Sequence, residues 1–154
     1  MIKIDPTDKR LIELLQADAK QSIKEISTAL RLTKTPVYDR IKRLERAGVI
    51  QKYVAVVDPK KITHTIVVFC SVSLESQRLK DITSFSRAIE KIPEVIECYL
   101  MGGANDFLLK VMVEDLEAYH RFSSGKLAAL PNVSQIKSTF VLDVIKRSTV
   151  IPMY

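Results

Sequence analysis

Between Leu15 and Tyr53 the chain sets two short amphipathic runs on either side of one tight break, and few folds accommodate that pattern. The first run, Ile23 to Leu30, is apolar at 23, 26, 29 and 30. The break is Arg31-Leu32-Thr33-Lys34. Thr35-Pro36 is predicted to open the second helix, because Thr caps helix N-termini well and Pro suits the first helical position, where no intrahelical acceptor awaits its missing N–H. Val37, Ile41 and Leu44 stand at i, i+4 and i+7 and form one buried stripe. At about 100° per residue the opposite face carries Thr35, Asp39, Lys42, Arg43 and Arg46. Gly48 is expected to end the helix. Two short helices, a tight turn and a basic outer face on the second describe a helix-turn-helix.

The charge distribution agrees. Residues 1–60 hold thirteen Lys/Arg against eight Asp/Glu, whereas residues 61–154 hold eleven against ten. Between Arg31 and Arg46 there are six basic residues and two acidic ones. A one-sided basic helix is the footprint of phosphate contact with double-stranded DNA. The competing reading is a solvated helix with pairs such as Asp39 with Arg43. On the DNA reading, Lys34, Thr35, Tyr38 and Asp39, at the helix start, approach the base edges. Lys42, Arg43 and Arg46 meet phosphates, and Arg40, beside the stripe, contacts a phosphate or braces the fold.

A length of 154 residues allows one or two small domains with real cores. The longest apolar run, Ile66 to Cys70, is far too short to span a bilayer. Residues Met1 to Asp5 lack the apolar core of a secretory signal, so a cytoplasmic protein is expected. Cys70 and Cys98 fall in strand-like runs without partners at metal-ligand spacing, and buried free thiols are expected of both.

Three divisions are predicted: a DNA-binding domain over residues 1–57, a hinge over 58–64 and a second domain over 65–154. In the first, a leading helix over Asp8 to Gln16 turns Leu11, Leu14 and Leu15 inward, with Asp5-Pro6 or Thr7 as its start. A strand over Val49 to Val57 follows the basic helix. In the second, Thr65 to Leu74 reads as a strand with Ile66, Val68, Cys70, Val72 and Leu74 on one face. Leu79 to Lys91 reads as a helix apolar at Leu79, Ile82, Phe85 and Ile89. Strands follow at Val95 to Met101 and Asp106 to Val113, joined by the turn Gly102 to Asn105. Leu116 to Leu127 is a helix and Val133 to Leu142 a strand, with Val144 to Ile151 as a further candidate. The order is the split ferredoxin-like βαββαβ plan, making the chain α+β with a winged-type helix-turn-helix in front. Two helices cover one face of such a sheet. Val67 and Phe69 lie on the other, which a homodimer would bury.

These motifs together resemble the Lrp/AsnC, or feast/famine, family of transcription regulators over nearly the whole chain. The resemblance rests on Asp5 to Leu15, Gln16-Ala17-Asp18-Ala19, Leu32 to Glu45, Gly48-Val49-Ile50, Leu100 to Val111 and Leu130 to Val133. It implies a transcription regulator whose C-terminal domain dimerises and assembles further, to tetramers or octamers. It also implies small-molecule effectors, usually amino acids, bound between neighbouring C-terminal domains. The effector loop implied is Gly102, Gly103, Ala104, Asn105 and Asp106. Ser134 matches a family position that reaches the ligand from across the interface. In this loop Asn105 replaces the usual aromatic residue, and Thr63-His64 stand where the family has a glycine.

The loop has a physical reading of its own. Glycines permit positive φ and leave N–H groups free for a carboxylate, while Asp106 could pair with an ammonium group. A plain hairpin turn with Asp106 bonding its own loop is the competing reading. No cofactor or metal is expected, since no Cys/His cluster occurs and Gly102-Gly103 does not precede a helix. His64 and His120 are the only histidines, and Ser123-Ser124-Gly125 lacks the strand-to-helix setting of a nucleophile. A small enzyme on the ferredoxin-like sheet would therefore lack an acid/base pair. An amino-acid-sensing or assembly module without a direct DNA role is the other alternative.

Overall fold

Capping chemistry sets the start of the first two helices. The computed structural model describes residues 2–154; Met1, which opens the first predicted domain, lies outside the described residues. Helix α1 spans Pro6–Ala17 and α2 spans Ile23–Leu30. Both begin with a capping box. The Asp5 side chain accepts from the Asp8 amide while the Asp8 side chain accepts from the Asp5 amide, and Ser22 and Glu25 exchange the same pair of bonds. Helix α3 spans Lys34–Arg46, starting two residues earlier than expected. Thr33 occupies its N-cap without a side-chain bond, so Thr35 is not the cap. Pro36 is tolerated because the first four helical N–H groups lack intrahelical acceptors. Gly48, at φ +71°, takes the left-handed conformation that closes the helix. Arg31 takes the same region, at φ 54°, in the turn between α2 and α3.

Val37 and Leu44 are fully buried and Ile41 nearly so, in one cluster with Leu11, Ile12 and Ile26. Burying such side chains contributes roughly 1.5–3 kcal/mol each. The strand expected over Val49–Val57 does not form. Among the described residues nothing pairs with this segment, and a strand exists only through its ladder. Val54, Val56 and Val57 are exposed there.

The chain divides into two compact units, Met1–Val56 with Lys146–Tyr154, and Val57–Ile145. The strand entertained over Val144–Ile151 is also missing, and the backbone of its last residue bonds to a side chain of α1. Gln16 donates to the Ile151 carbonyl and accepts from the Ile151 amide, and Met153 packs against the first unit's core.

In the second unit a 3₁₀ turn, Pro59–Lys61, is capped by Asp58. Strand β1 (Ile66–Leu74) is followed by α4 (Leu79–Ile89), β2 (Val95–Leu100), β3 (Phe107–Val113), α5 (Leu116–Arg121) and β4 (Val133–Phe140). The strands form one antiparallel sheet in the order β2-β3-β1-β4, the ferredoxin-like arrangement. Alternate residues of β1 and β3 point into the core: Val68, Cys70, Val72 and Leu74, and Phe107, Leu109, Val111 and Val113. Phe85 and Ile89 of α4 complete it, with Tyr119 of α5. Leu79 does not join that stripe. It is the first residue of α4 and is 80% exposed. Past Arg121 the helix widens to π geometry over Phe122–Leu127, which places both Phe122 and Leu127 in the core five residues apart.

The opposite sheet face carries Val67 paired with Met112, Phe69 with Lys110 and Ser71 with Leu108. Both cysteines are free. Cys70 is buried, but Cys98 is exposed, on a strand with no fully buried residue.

Candidate functional site

The buried stripe determines what α3 presents to solvent. With Val37, Ile41 and Leu44 turned inward, Lys34, Thr35, Tyr38, Asp39 and Arg46 are exposed and Lys42 is partly so. Tyr38 is 50% exposed, with the Lys42 ammonium 5.7 Å from its ring centroid. Lys42 donates to Glu45 at 2.8 Å, and the Tyr53 hydroxyl donates to the other Glu45 oxygen at 3.0 Å. Bonding from Lys42, then Tyr53, holds the Glu45 carboxyl below its ordinary range. Burial, then the Glu45 bond, pushes the Tyr53 phenol up to about 12.

Arg40 and Arg43 are engaged elsewhere. Arg40 Nη1 donates to Asp5 Oδ2 at 2.6 Å and to Asp8 Oδ1 at 2.7 Å, and Arg43 Nη2 donates to Asp8 Oδ2 at 2.5 Å. The Asp8 side chain is fully buried. Burial opposes its charge, yet the Asp5 amide and both guanidiniums hold its pKa below the ordinary value. Asp5 is held low chiefly by Arg40. Of the two roles open to Arg40, the structure supplies bracing, and Arg43 joins it.

This cluster went unread in the sequence, although two signals were present. Asp5 and Asp8 have the N-cap-to-N3 spacing of a capping box, and Arg40 and Arg43 share a helix face at i,i+3. Neither signal says that the two pairs meet across more than thirty residues of chain.

In the second unit, the residues of the expected ligand loop converge in part. The Leu74 amide donates to Asp106 Oδ2 at 2.7 Å, the Asp106 amide donates to the Val72 carbonyl, and the Met101 amide donates to the Asp106 carbonyl. The Ser73 hydroxyl reaches Asn105 Oδ1 at 3.4 Å, and the Ser134 hydroxyl donates to the Ser73 carbonyl at 3.0 Å. Asn105, Asp106 and Ser134 thus gather at the end of β1, while Gly102, Gly103 and Ala104 are exposed beside them. Neither loop glycine uses the positive φ that glycine permits, and a Cβ on either would meet nothing within 4 Å. Backbone geometry within this chain therefore does not require glycine there; what the glycines leave is open space beside the loop. The Asp106 carboxylate is tied through one oxygen to β1, and not to its own loop as the hairpin reading had it.

Asn132, at φ 70°, clamps the neighbouring loop. It accepts from the Ser76 amide and donates to the Ser76 carbonyl. His64 and His120 are both exposed. Among the described residues no group of three or more His, Cys, Asp or Glu could hold a metal ion, and no helix is long and apolar enough to cross a membrane.

Comparison with known proteins aligns with these two regions. A winged helix-turn-helix DNA-binding profile matches residues 4–51, and an Lrp/AsnC ligand binding domain profile matches residues 67–151. The chain is 35% identical over 145 residues to the proline dehydrogenase transcriptional activator of Rhizobium radiobacter, covering 94% of this chain and 93% of that protein. It is 33% identical over 145 residues to the leucine-responsive regulatory protein of Escherichia coli, covering 94% and 88%. A transcriptional regulator of Neisseria meningitidis, solved in complex with L-methionine, superposes with a TM-score of 0.90 at 29% identity over 97% of each chain.

Proposed function

The chain belongs to the Lrp/AsnC family of DNA-binding transcription regulators, and on that premise we propose that it grips operator DNA as a homodimer through α3 under the control of an amino acid or related small molecule. It is a regulator and not an enzyme.

The observation that carries the DNA contact is the division of α3 into a buried stripe and an exposed N-terminal face. Thr35, Tyr38 and Asp39 stand clear of the core with Lys34 at the helix start. These four read the base edges, since the N-terminal residues of a recognition helix approach them. Lys42 and Arg46 meet phosphates, and Arg40 and Arg43 serve the contact from behind, through Asp8. The partly apolar sheet face bearing Val67, Phe69, Leu108 and Met112 supports dimerisation, which would pair two recognition helices. Half-sites then lie about 34 Å apart or a multiple of it. Assembly to tetramers or octamers extends the same reading, and work on chromosomal DNA puts the protein in the cytoplasm.

The effector reading rests on the polar cluster at the end of β1. Exposed backbone at Gly102, Gly103 and Ala104 suits a carboxylate, and Asn105, Asp106 and Ser134 lie beside it. The Neisseria relative's L-methionine complex supports an amino acid as the ligand class. A bound effector would alter operator affinity by favouring one assembly over another.

Gel mobility of a duplex from the chain's own upstream region, at several salt concentrations, tests the DNA contact; absence of salt-sensitive retention on any genomic fragment rejects it. Calorimetry with the twenty amino acids on wild type and Asp106→Asn tests the effector site. Binding to wild type alone is expected, and equal binding to both proteins puts the site elsewhere.

A further inference from the structure

We propose that Asp8 is a specificity-determining positioning residue for DNA binding, which keeps Arg40 and Arg43 away from the phosphate backbone and pins the rotation of α3 on α1. The proposal rests on the DNA-binding role of α3 argued above.

Asp8 carries more bonds than its cap requires. A capping box needs one carboxylate oxygen to reach back to the N-cap amide, and Asp8 Oδ2 does so, at 3.0 Å from the Asp5 nitrogen. That oxygen also accepts from Arg43, and Oδ1 accepts from Arg40. The two arginines lie on one side of the buried stripe of α3, so two ion pairs to one fully buried carboxylate tie that side of the helix to α1. Buried charge is tolerated only when paired, so the Asp8 carboxylate holds both guanidiniums against it, and either one still neutralises it when the other is removed.

The consequence for DNA is electrostatic. Helix α3 holds the basic residues Lys34, Arg40, Lys42, Arg43 and Arg46. Asp5 and Asp8 take up Arg40 and Arg43, whereas Lys42 pairs with Glu45 of its own helix at the surface. Lys34 and Arg46, one at each end of the helix, are the α3 cations with no ion pair among the described residues. Attraction to phosphates is blind to sequence and grows with the number neutralised. By withdrawing Arg43, and Arg40 jointly with Asp5, Asp8 lowers that indiscriminate term; Asp5 keeps Arg40 when Asp8 is neutralised, so Arg43 is the cation set free. Thr35, Tyr38 and Asp39, which lie between the two unpaired ends, keep their access to bases. Specificity is a ratio of operator to non-operator affinity, and lowering the second raises it.

The test is fluorescence anisotropy on non-operator and operator duplexes between 50 and 200 mM salt, using the whole 154-residue chain. Arg43→Gln should leave the non-operator salt slope at its wild-type value, because Arg43 is not at a phosphate. A slope shallower by about 0.9 per bound helix would overturn the proposal. Asp8→Asn keeps the side-chain shape but cannot accept from both arginines. Its slope should steepen by about 0.9 per bound helix, roughly 1.8 for a dimer, which is about twelvefold across that fourfold salt range. The operator-to-non-operator ratio should fall with it, and adding Arg43→Gln to Asp8→Asn should restore the slope. Asp18→Asn makes the same charge change at an exposed position of the same unit and should leave the slope alone. Equal steepening in Asp18→Asn, or none in Asp8→Asn, refutes the idea. If Asp8→Asn fails to fold, Arg43→Gln alone decides. Wild type with no salt-dependent DNA binding would instead sink the underlying DNA-binding reading, so the two failures are distinguishable.

Discussion

Truncating Leu44 to Ala should destabilise the DNA-binding unit strongly and leave the other unit's stability unchanged. Leu44 is fully buried at the centre of the cluster formed by Leu11, Ile12, Ile26, Val37 and Ile41. The substitution removes three carbons, a transfer loss of roughly 2.4 kcal/mol at about 0.8 kcal/mol per methylene. A small core collapses little around the hole, so the cavity raises the total to about 3–4 kcal/mol. The unit has roughly sixty-five residues. At about 0.05–0.15 kcal/mol per residue its whole stability is about 3–10 kcal/mol, so the loss takes a third of it at least. For a unit of this size the midpoint should fall by about 12–30 °C. Residues Val57–Ile145 have a separate core around Phe85, Phe107 and Phe122, which Leu44 does not join. Scanning calorimetry should therefore show one transition moving down while the other stays within a few degrees. DNA retention should vanish at temperatures where effector heats persist. Leu79→Ala, at a residue 80% exposed, is the control and should cost less than about 0.5 kcal/mol. Two transitions moving together, or Leu79→Ala costing as much as Leu44→Ala, would refute the reasoning.

Acid should strike the first unit before the second. Asp5, Asp8, Glu25 and Glu45 all have folded pKa values below their ordinary ones, against Glu94 alone in the second. Depressed carboxylates contribute stability above their unfolded pKa that is lost as pH falls through the folded pKa, so circular dichroism between about pH 5 and 2 should show helix melting before sheet. Arg46→Gln removes an α3 cation without an ion pair, and the anisotropy salt slope on any duplex should become shallower by about 0.9 per bound helix. Phe69→Lys sets a second cation opposite Lys110 on the uncovered sheet face. Sedimentation should then show monomer where wild type shows dimer at micromolar concentration, and an unchanged dimer would exclude this face.

Local patterns carried much of this molecule. The period of 3.6 in Val37, Ile41 and Leu44 fixed the inward side of α3, and with it the exposure of Thr35, Tyr38 and Asp39. The period of two in Val68, Cys70, Val72 and Leu74 identified the covered face of the sheet. Both follow from backbone geometry that repeats along the chain and needs no distant partner. The misreadings occurred where a partner decides. Val49–Val57 has strand composition but, among the described residues, no neighbour to pair with, and Val144–Ile151 ends with the Ile151 backbone bonded to Gln16. Leu79 is apolar yet lies beyond the stripe that its own helix buries. Gly102 and Gly103 permit positive φ, but open space beside them, and not strain, is what the structure records.

The charges divide in the same way. Composition alone revealed a basic helix, because net charge is a sum over residues. Which of those charges face outward depends on acids more than thirty residues away, and only the tertiary packing of α1 against α3 brings Asp8 to Arg40 and Arg43. A buried carboxylate demands partners from whatever packs over it, and the order of residues along the chain does not disclose which ones those are.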